Sequence, residues 1–148
     1  MYRLLSFFVF VCVALAVVSC SKKDTTNAPP SLAGKVFEAT LTDGSGMLLP
    51  LVKYTFVAKL REGDRYELNW DALFREYDNK GEYAYFIQGH GPEAKLAFGS
   101  MDLPRENPFL VHEMDLALTF ENKKSGTFEG SFTSSSGDGT LRGTFVTK

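Results

Sequence analysis

The sequence predicts an all-β protein: one antiparallel up-and-down β-barrel of about eight strands, with a β-sandwich as the alternative. Three observations predict it. Beyond residue 34, apolar residues recur with a period of two, which marks strands with one buried and one wet face. Clusters of Gly, Asn and Asp separate these runs, and such short connections favour antiparallel neighbours. The last two runs each set a glycine between two large residues on one face, which suits a sheet bent tightly around a core.

The elements follow in order. Phe37, Ala39 and Leu41 alternate with Glu38 and Thr40, giving a strand near 35–42. Tyr54, Phe56, Ala58 and Leu60 mark a second near 51–61, and Tyr66, Leu68, Trp70, Ala72 and Phe74 share one face of a third near 65–75. Tyr83, Tyr85 and Ile87 mark a fourth near 82–89. Leu116, Leu118 and Phe120 fall in a strand near 110–121, and two more run near 126–134 and 139–147. The eighth candidate, Ala94 to Met101, reads two ways. Ala94, Leu96 and Phe98 fit a strand face; Ala94, Ala97, Phe98 and Met101 fit a helix face bracketed by Pro92 and Gly99. The strand is the expectation. Asp71 could likewise cap a helical turn or two running to Tyr77. The turns are expected at 43–46, 62–64, 78–81, 122–126 and 136–139, where Gly, Asn and Asp supply left-handed backbone.

The N-terminus carries a different signal. Met1-Tyr2-Arg3 is followed by an apolar stretch from Leu4 to Val18, ended abruptly by Ser21-Lys22-Lys23-Asp24. A basic start before an apolar run of ~7–15 residues describes a secretory signal peptide. A membrane-spanning helix needs ~20 apolar residues. Two cleavage sites compete. Ala14-Leu15-Ala16 fits the small-x-small rule and would leave a free thiol at Cys20. Val17-Val18-Ser19-Cys20 resembles the lipobox of bacterial lipoproteins, with Val17 where that family most often has leucine. The resemblance implies that Cys20 becomes the mature N-terminus and carries a thioether-linked diacylglycerol and an amide-linked acyl chain such as palmitate. Several chains anchor firmly, because one chain alone binds membranes only marginally. In the same family an Asp after the cysteine favours the inner membrane. Ser21 therefore implies the outer membrane, on its periplasmic or its cell-surface face.

The expected organisation is a signal peptide over 1–19, a lipidated cysteine and flexible tether over 20–33, and the barrel domain over 34–148. The tether is polar and ends in Pro29-Pro30. Removing the first 19 of 148 residues leaves 129, enough for one small domain with a useful core. Arg3 leaves with them, so fifteen basic residues face eighteen acidic ones and the net charge is −3. That balance argues against a nucleic-acid partner, which calls for a basic face. Cys12 lies in the signal run, so the mature chain keeps Cys20 alone. It can form no disulfide and no thiolate metal site by itself.

Phe128, Gly130 and Phe132, with Leu141, Gly143 and Phe145, form a hairpin that resembles the closing hairpins of β-barrel lipoproteins and lipocalin-like proteins. Leu32-Ala33-Gly34-Lys35-Val36-Phe37 resembles the opening of small lipocalin-like lipoproteins. Gly34-x-Val36 stands where lipocalins have Gly-x-Trp. The resemblance implies a calycin-type barrel that holds a small ligand.

No motif points to catalysis, a cofactor or a metal. Gly89-His90-Gly91-Pro92-Glu93-Ala94 matches the dinucleotide pattern formally, but that pattern needs a βαβ unit and here reads as a turn. His112 and Glu113 are neighbours on a strand and would diverge. No serine sits in a G-x-S-x-G elbow. A non-enzymatic binding role is therefore the expectation. Tyr66, Trp70, Phe74 and Tyr85 are the candidate ligand-binding residues, lining a barrel whose interior would take a small apolar or amphipathic molecule. The same aromatics would also make a plain core. The rival function is a protein-interaction module, an enzyme inhibitor or an accessory part of an envelope complex, acting through loops such as Leu103-Pro104-Arg105-Glu106-Asn107-Pro108. An open cavity under Trp70 and Tyr66 would favour the ligand; a filled interior would favour the partner.

Overall fold

A computed structural model describes residues 27–46, 55–70, 79–99, 111–135 and 137–148. It is all-β. Eight strands, β1 (Val36–Gly44), β2 (Thr55–Arg61), β3 (Arg65–Trp70), β4 (Asn79–Ile87), β5 (Glu93–Phe98), β6 (Val111–Asn122), β7 (Ser125–Ser134) and β8 (Gly139–Thr147), pair in sequence order. β1 also pairs with β8, so the sheet closes into a barrel with every pairing antiparallel. The sandwich alternative is not adopted. Residues 93–98 are a strand, as the alternation of Ala94, Leu96 and Phe98 predicts. The helical reading of 71–77 falls outside the described residues.

Alternation decides which side chains enter the lumen. Phe37, Ala39 and Leu41 are buried on β1; Phe56, Ala58 and Leu60 on β2; Leu116, Leu118 and Phe120 on β6. Their neighbours in sequence face water, as a period of two requires. Aromatic rings cross the lumen between strands that are not adjacent. Phe56 of β2 meets Phe128 of β7 edge-on at 6.3 Å between centroids, and Tyr66 of β3 meets Phe98 of β5 at 4.9 Å. Phe120 and Phe145 lie 4.9 Å apart in the same edge-on manner.

Three of the expected turns are shorter than predicted, because strand takes part of each. Asn79, Lys80 and Gly81 pair with Leu68, Glu67 and Tyr66, so β4 begins before the predicted position. Asp43 and Gly44 extend β1 past a bulge after Leu41, and Ser125 and Gly126 belong to β7. The reason is steric. Each inward glycine faces a large inward residue on the next strand: Gly81 faces Tyr66, Gly126 faces Phe120, Gly130 faces Leu116, Gly139 faces Phe132 and Gly143 faces Phe128. A Cβ at Gly81 would stand 2.9 Å from the Tyr66 hydroxyl oxygen. One at Gly143 would stand 2.7 Å from Phe128 Cζ and run into the Thr40 carbonyl oxygen. These glycines supply room for rings and for strand bending. True turns do use the left-handed backbone, as Gly63 (φ 71°) and Asp64 (φ 57°) do between β2 and β3.

The packed domain also starts earlier than residue 34. Ala28 and Leu32, assigned by sequence to the tether, are buried in the core at 6% and 1% exposure. The segment forms no strand. It crosses the end of the barrel as a strap, with the Tyr85 hydroxyl donating to the Pro29 carbonyl at 2.7 Å. The Gly34 amide donates to Leu60 O, and the Lys35 amide to Leu32 O. Two apolar residues four apart plug the opening although their surroundings are polar.

Connections differ at the two ends. At the strap end they are residues 62–64, 88–92 and 123–124; at the other they are 45–54, 71–78, 99–110 and 135–138.

Gly143→Ala is expected to lower stability by about 1–3 kcal/mol, the usual range for overpacking. Gly91→Ala, where a Cβ would meet nothing within 4 Å, should stay within about 0.5 kcal/mol of the parent. Urea unfolding of both variants checks this, and equal midpoints would refute the spacing role of Gly143.

Candidate functional site

Of the four aromatics proposed from sequence, Tyr66 and Tyr85 lie within the described residues, and both pack inside the barrel. Tyr66 enters the barrel and is 1% exposed, with its ring against Phe98 and its hydroxyl donating to Gly99 O at 3.4 Å. Tyr85 points inward from β4 and is half-buried beneath the strap. Trp70 is the last residue of β3; its side chain and the whole of Phe74 lie outside the described residues, as do Cys20 and the 103–108 loop. What holds Tyr66 and Tyr85 is the protein itself. Tyr83 behaves alike, its hydroxyl donating to Arg61 O at 3.3 Å. Three inward phenols near the strap end thus each bond a backbone carbonyl, the ordinary requirement for a buried hydroxyl.

The described lumen is filled. Phe37, Phe56, Tyr66, Phe98, Phe128 and Phe145 are each 2% exposed or less. An eight-stranded barrel has an interior just wide enough for side chains or for one small ligand. Here the side chains occupy it through the described layers.

Two depressions lie instead on the outer wall. The larger, about 350 Å3, spans β4 to β7. Phe86 stands at one side, and Ala97, Ala117 and Ser131 give it depth because they are small. Lys95, Asp115 and Glu129 border it. Register explains the grouping. Phe86, Lys95, Ala117, Glu129 and Arg142 form one outward row across five strands, and Ala97, Asp115, Ser131 and Thr140 form the next. The smaller depression, about 190 Å3, is lined by Asp43, Thr140 and Arg142 and shares Glu129 and Gly130 with the larger. The two therefore adjoin in one trough, apolar at the Phe86 end and polar at the Arg142 end. An ion pair of Arg142 Nε with Glu129 Oε1 at 3.3 Å marks the polar end; both partners are exposed, so its contribution is small. Phe86 is 49% exposed, with Ile87 next to it in sequence at 40%. Sequence reasoning missed this trough. Its members are scattered over four strands, and their only local signal is a run of small residues at outward positions.

The other motifs resolve simply. Gly89 to Pro92 form the β4–β5 turn, where the Gln88 amide donates to Glu93 O and Gly89 has φ 70°. His112 sits at a bulge of β6 with Nε2 3.0 Å from Ser135 Oγ. Among the described residues, no group of three or more His, Cys, Asp or Glu is arranged to hold a metal ion. Among them, too, no helix is long and apolar enough to cross a membrane.

No family model, no curated protein and no solved structure matches this chain.

Burial pushes the Tyr85 phenol up to about 12 and holds Tyr66 above the ordinary tyrosine range. Tyr83 is raised too, by burial first and then by the charges of Asp64 and Glu62. An unfolded tyrosine titrates near ~10, so above that pH the unfolded chain loses protons that the folded chain keeps. Stability contributed by these phenols is complete below the unfolded value and is lost as pH rises through the folded ones. Chemical denaturation should therefore show a falling midpoint from about pH 10 upward. In the Tyr66→Phe, Tyr85→Phe double variant that fall should be shallower, and an unchanged slope would show that the alkaline loss arises elsewhere.

Proposed function

We propose that this protein is a lipid-anchored component of a bacterial outer envelope, held by acyl chains on Cys20, whose barrel is a rigid scaffold for binding a protein partner. The observation that carries the binding mode is the contrast between the lumen and the wall. The lumen is occupied by the protein's own rings. The wall carries an open trough with an exposed aromatic at its head. Exposed aromatics beside small residues are the usual anchors of interfaces, and flanking charges give orientation. Lys95, Asp115 and Glu129 stand where such flanking charges act. The role proposed for this arrangement is recognition.

A second reading rests on size. At about 350 Å3 the larger depression falls within the ~300–1,000 Å3 of small-molecule sites. An amphipathic small ligand of the lipocalin-like kind would then lie in the wall, or at the end of the barrel where Trp70 closes β3.

The two readings separate in one pair of measurements on the chain purified from membranes. Native and denatured masses should agree, apart from the covalent acyl chains. A photo-cross-linker placed at Ala117 in intact cells should give a discrete protein adduct, lost with Phe86→Ala at unchanged folding; one at Lys59 should not. Excess mass released on denaturation would transfer the function to the small ligand. Adducts indifferent to Phe86 would refute the trough as the binding face.

A further inference from the structure

The strap end of the barrel has a consequence for how the anchored protein stands. Lys35, at the foot of β1, Lys123 and Lys124, in the β6–β7 turn, and Lys148, at the end of β8, are all exposed. Backbone hydrogen bonds hold them together: the Thr147 amide donates to Lys124 O, and Val36 and Lys148 exchange amide–carbonyl bonds at 2.9 Å. Four lysines therefore share one side of one rim. Glu38 answers Lys148 at 2.8 Å and Glu121 lies beside the turn. The remaining acids at this end, Glu62, Asp64 and Glu93, stand on the β2–β3 and β4–β5 side.

The chain leaves the barrel at the same end. Pro29 is tied to Tyr85 of β4, on the side of the mouth away from the lysines, and Asn27 is exposed just beyond it. Only six residues separate Cys20 from Asn27, so the seven steps between them reach at most about 25 Å at full extension. An anchor at Cys20 thus holds the strap end close to the bilayer, with the tether on one side of the mouth and the lysine rim on the other.

We propose that Lys35, Lys123, Lys124 and Lys148 dock the strap end of the barrel on anionic phosphoglycerol headgroups of the phospholipid leaflet that holds the anchor. This rests on the lipid-anchor reading above. Exposed lysines near an anionic surface are attracted to it over roughly a Debye length, ~10 Å at 0.1 M salt, which lies within the tether's reach. Docking sets the barrel axis upright. The end with the longer connections then points away from the membrane, and the wall trough stands accessible from the side.

The test uses the full chain purified from membranes, its intact mass recorded, then reconstituted into vesicles of phosphatidylcholine alone or with phosphatidylglycerol. Amine labelling read by mass spectrometry should fall for the four rim lysines by about fivefold in the anionic vesicles, the scale set by one lysine at such a surface. Lys80, near the opposite end of β4, and Lys95, on the β5 wall, should label equally in both vesicles, and salt near 0.5 M should remove the protection by shortening the Debye length to a few ångströms. An acylated chain whose rim lysines label alike in both vesicles overturns the docking and leaves the anchor standing. A purified chain without acyl chains overturns the anchor, and the docking with it. Lys123→Gln with Lys124→Gln, exposed turn substitutions that leave the core untouched, should weaken the protection remaining at Lys35 and Lys148.

Discussion

A closed ring of eight strands encloses a lumen of nearly set width, and side chains must fill it without overfilling it. This sequence meets the constraint by pairing. A large inward residue on one strand faces a glycine on the next: Tyr66 with Gly81, Phe120 with Gly126, Phe128 with Gly143, Phe132 with Gly139. The ring fills the space the missing side chain leaves, and the strand bends inward where no Cβ obstructs it. The rings then meet across the lumen, as Phe56 and Phe128 do. Strand closure, curvature and core packing are one solution to one volume.

The two ends of the barrel follow from the same filling. At the strap end the strands meet in connections of two to five residues, and Leu32 and Ala28 cover the last opening. Phenols that would otherwise be stranded in the apolar interior find carbonyls there: Tyr85 on Pro29 and Tyr83 on Arg61. The strap is therefore held by packing and by a hydrogen bond at once. A pull on the chain at residue 27 would therefore work against core contacts.

Period-two alternation made most of this legible in sequence, because it needs no partner strand to be read. Every inward face that the pattern of Phe37, Phe56, Leu116, Phe128 or Phe145 suggests is an inward face in the structure. What the sequence hid depends on register. Gly81 and Gly126 look like turn glycines until Tyr66 and Phe120 are known to lie opposite them. Ala28 and Leu32 look solvated until the mouth they cover exists. Ala97, Ala117 and Ser131 are far apart in the chain and adjoin only because β5, β6 and β7 pair as they do. Tyr66 was legible as an inward aromatic, but not whether it lines a space or fills one. That depends on Gly81 and Phe98 together.

A closed barrel also narrows how such a protein can recognise anything. With β1 bonded to β8, the described strands leave no free sheet edge for a partner strand to extend. Among the described residues the lumen is filled, and the trough on the wall is an open concave surface that they present. On the wall, large outward residues would cover the backbone evenly; small ones leave hollows. The outward positions of β5 to β7 carry Ala97, Ala117 and Ser131, and Phe86 of β4 rises beside them. The hollow is backed by a sheet whose inward face is already locked by Leu96, Leu116 and Phe128. Its floor is therefore fixed by the core. A preformed and rigid trough loses little conformational entropy on binding, which is the condition under which a modest contact area gives useful affinity.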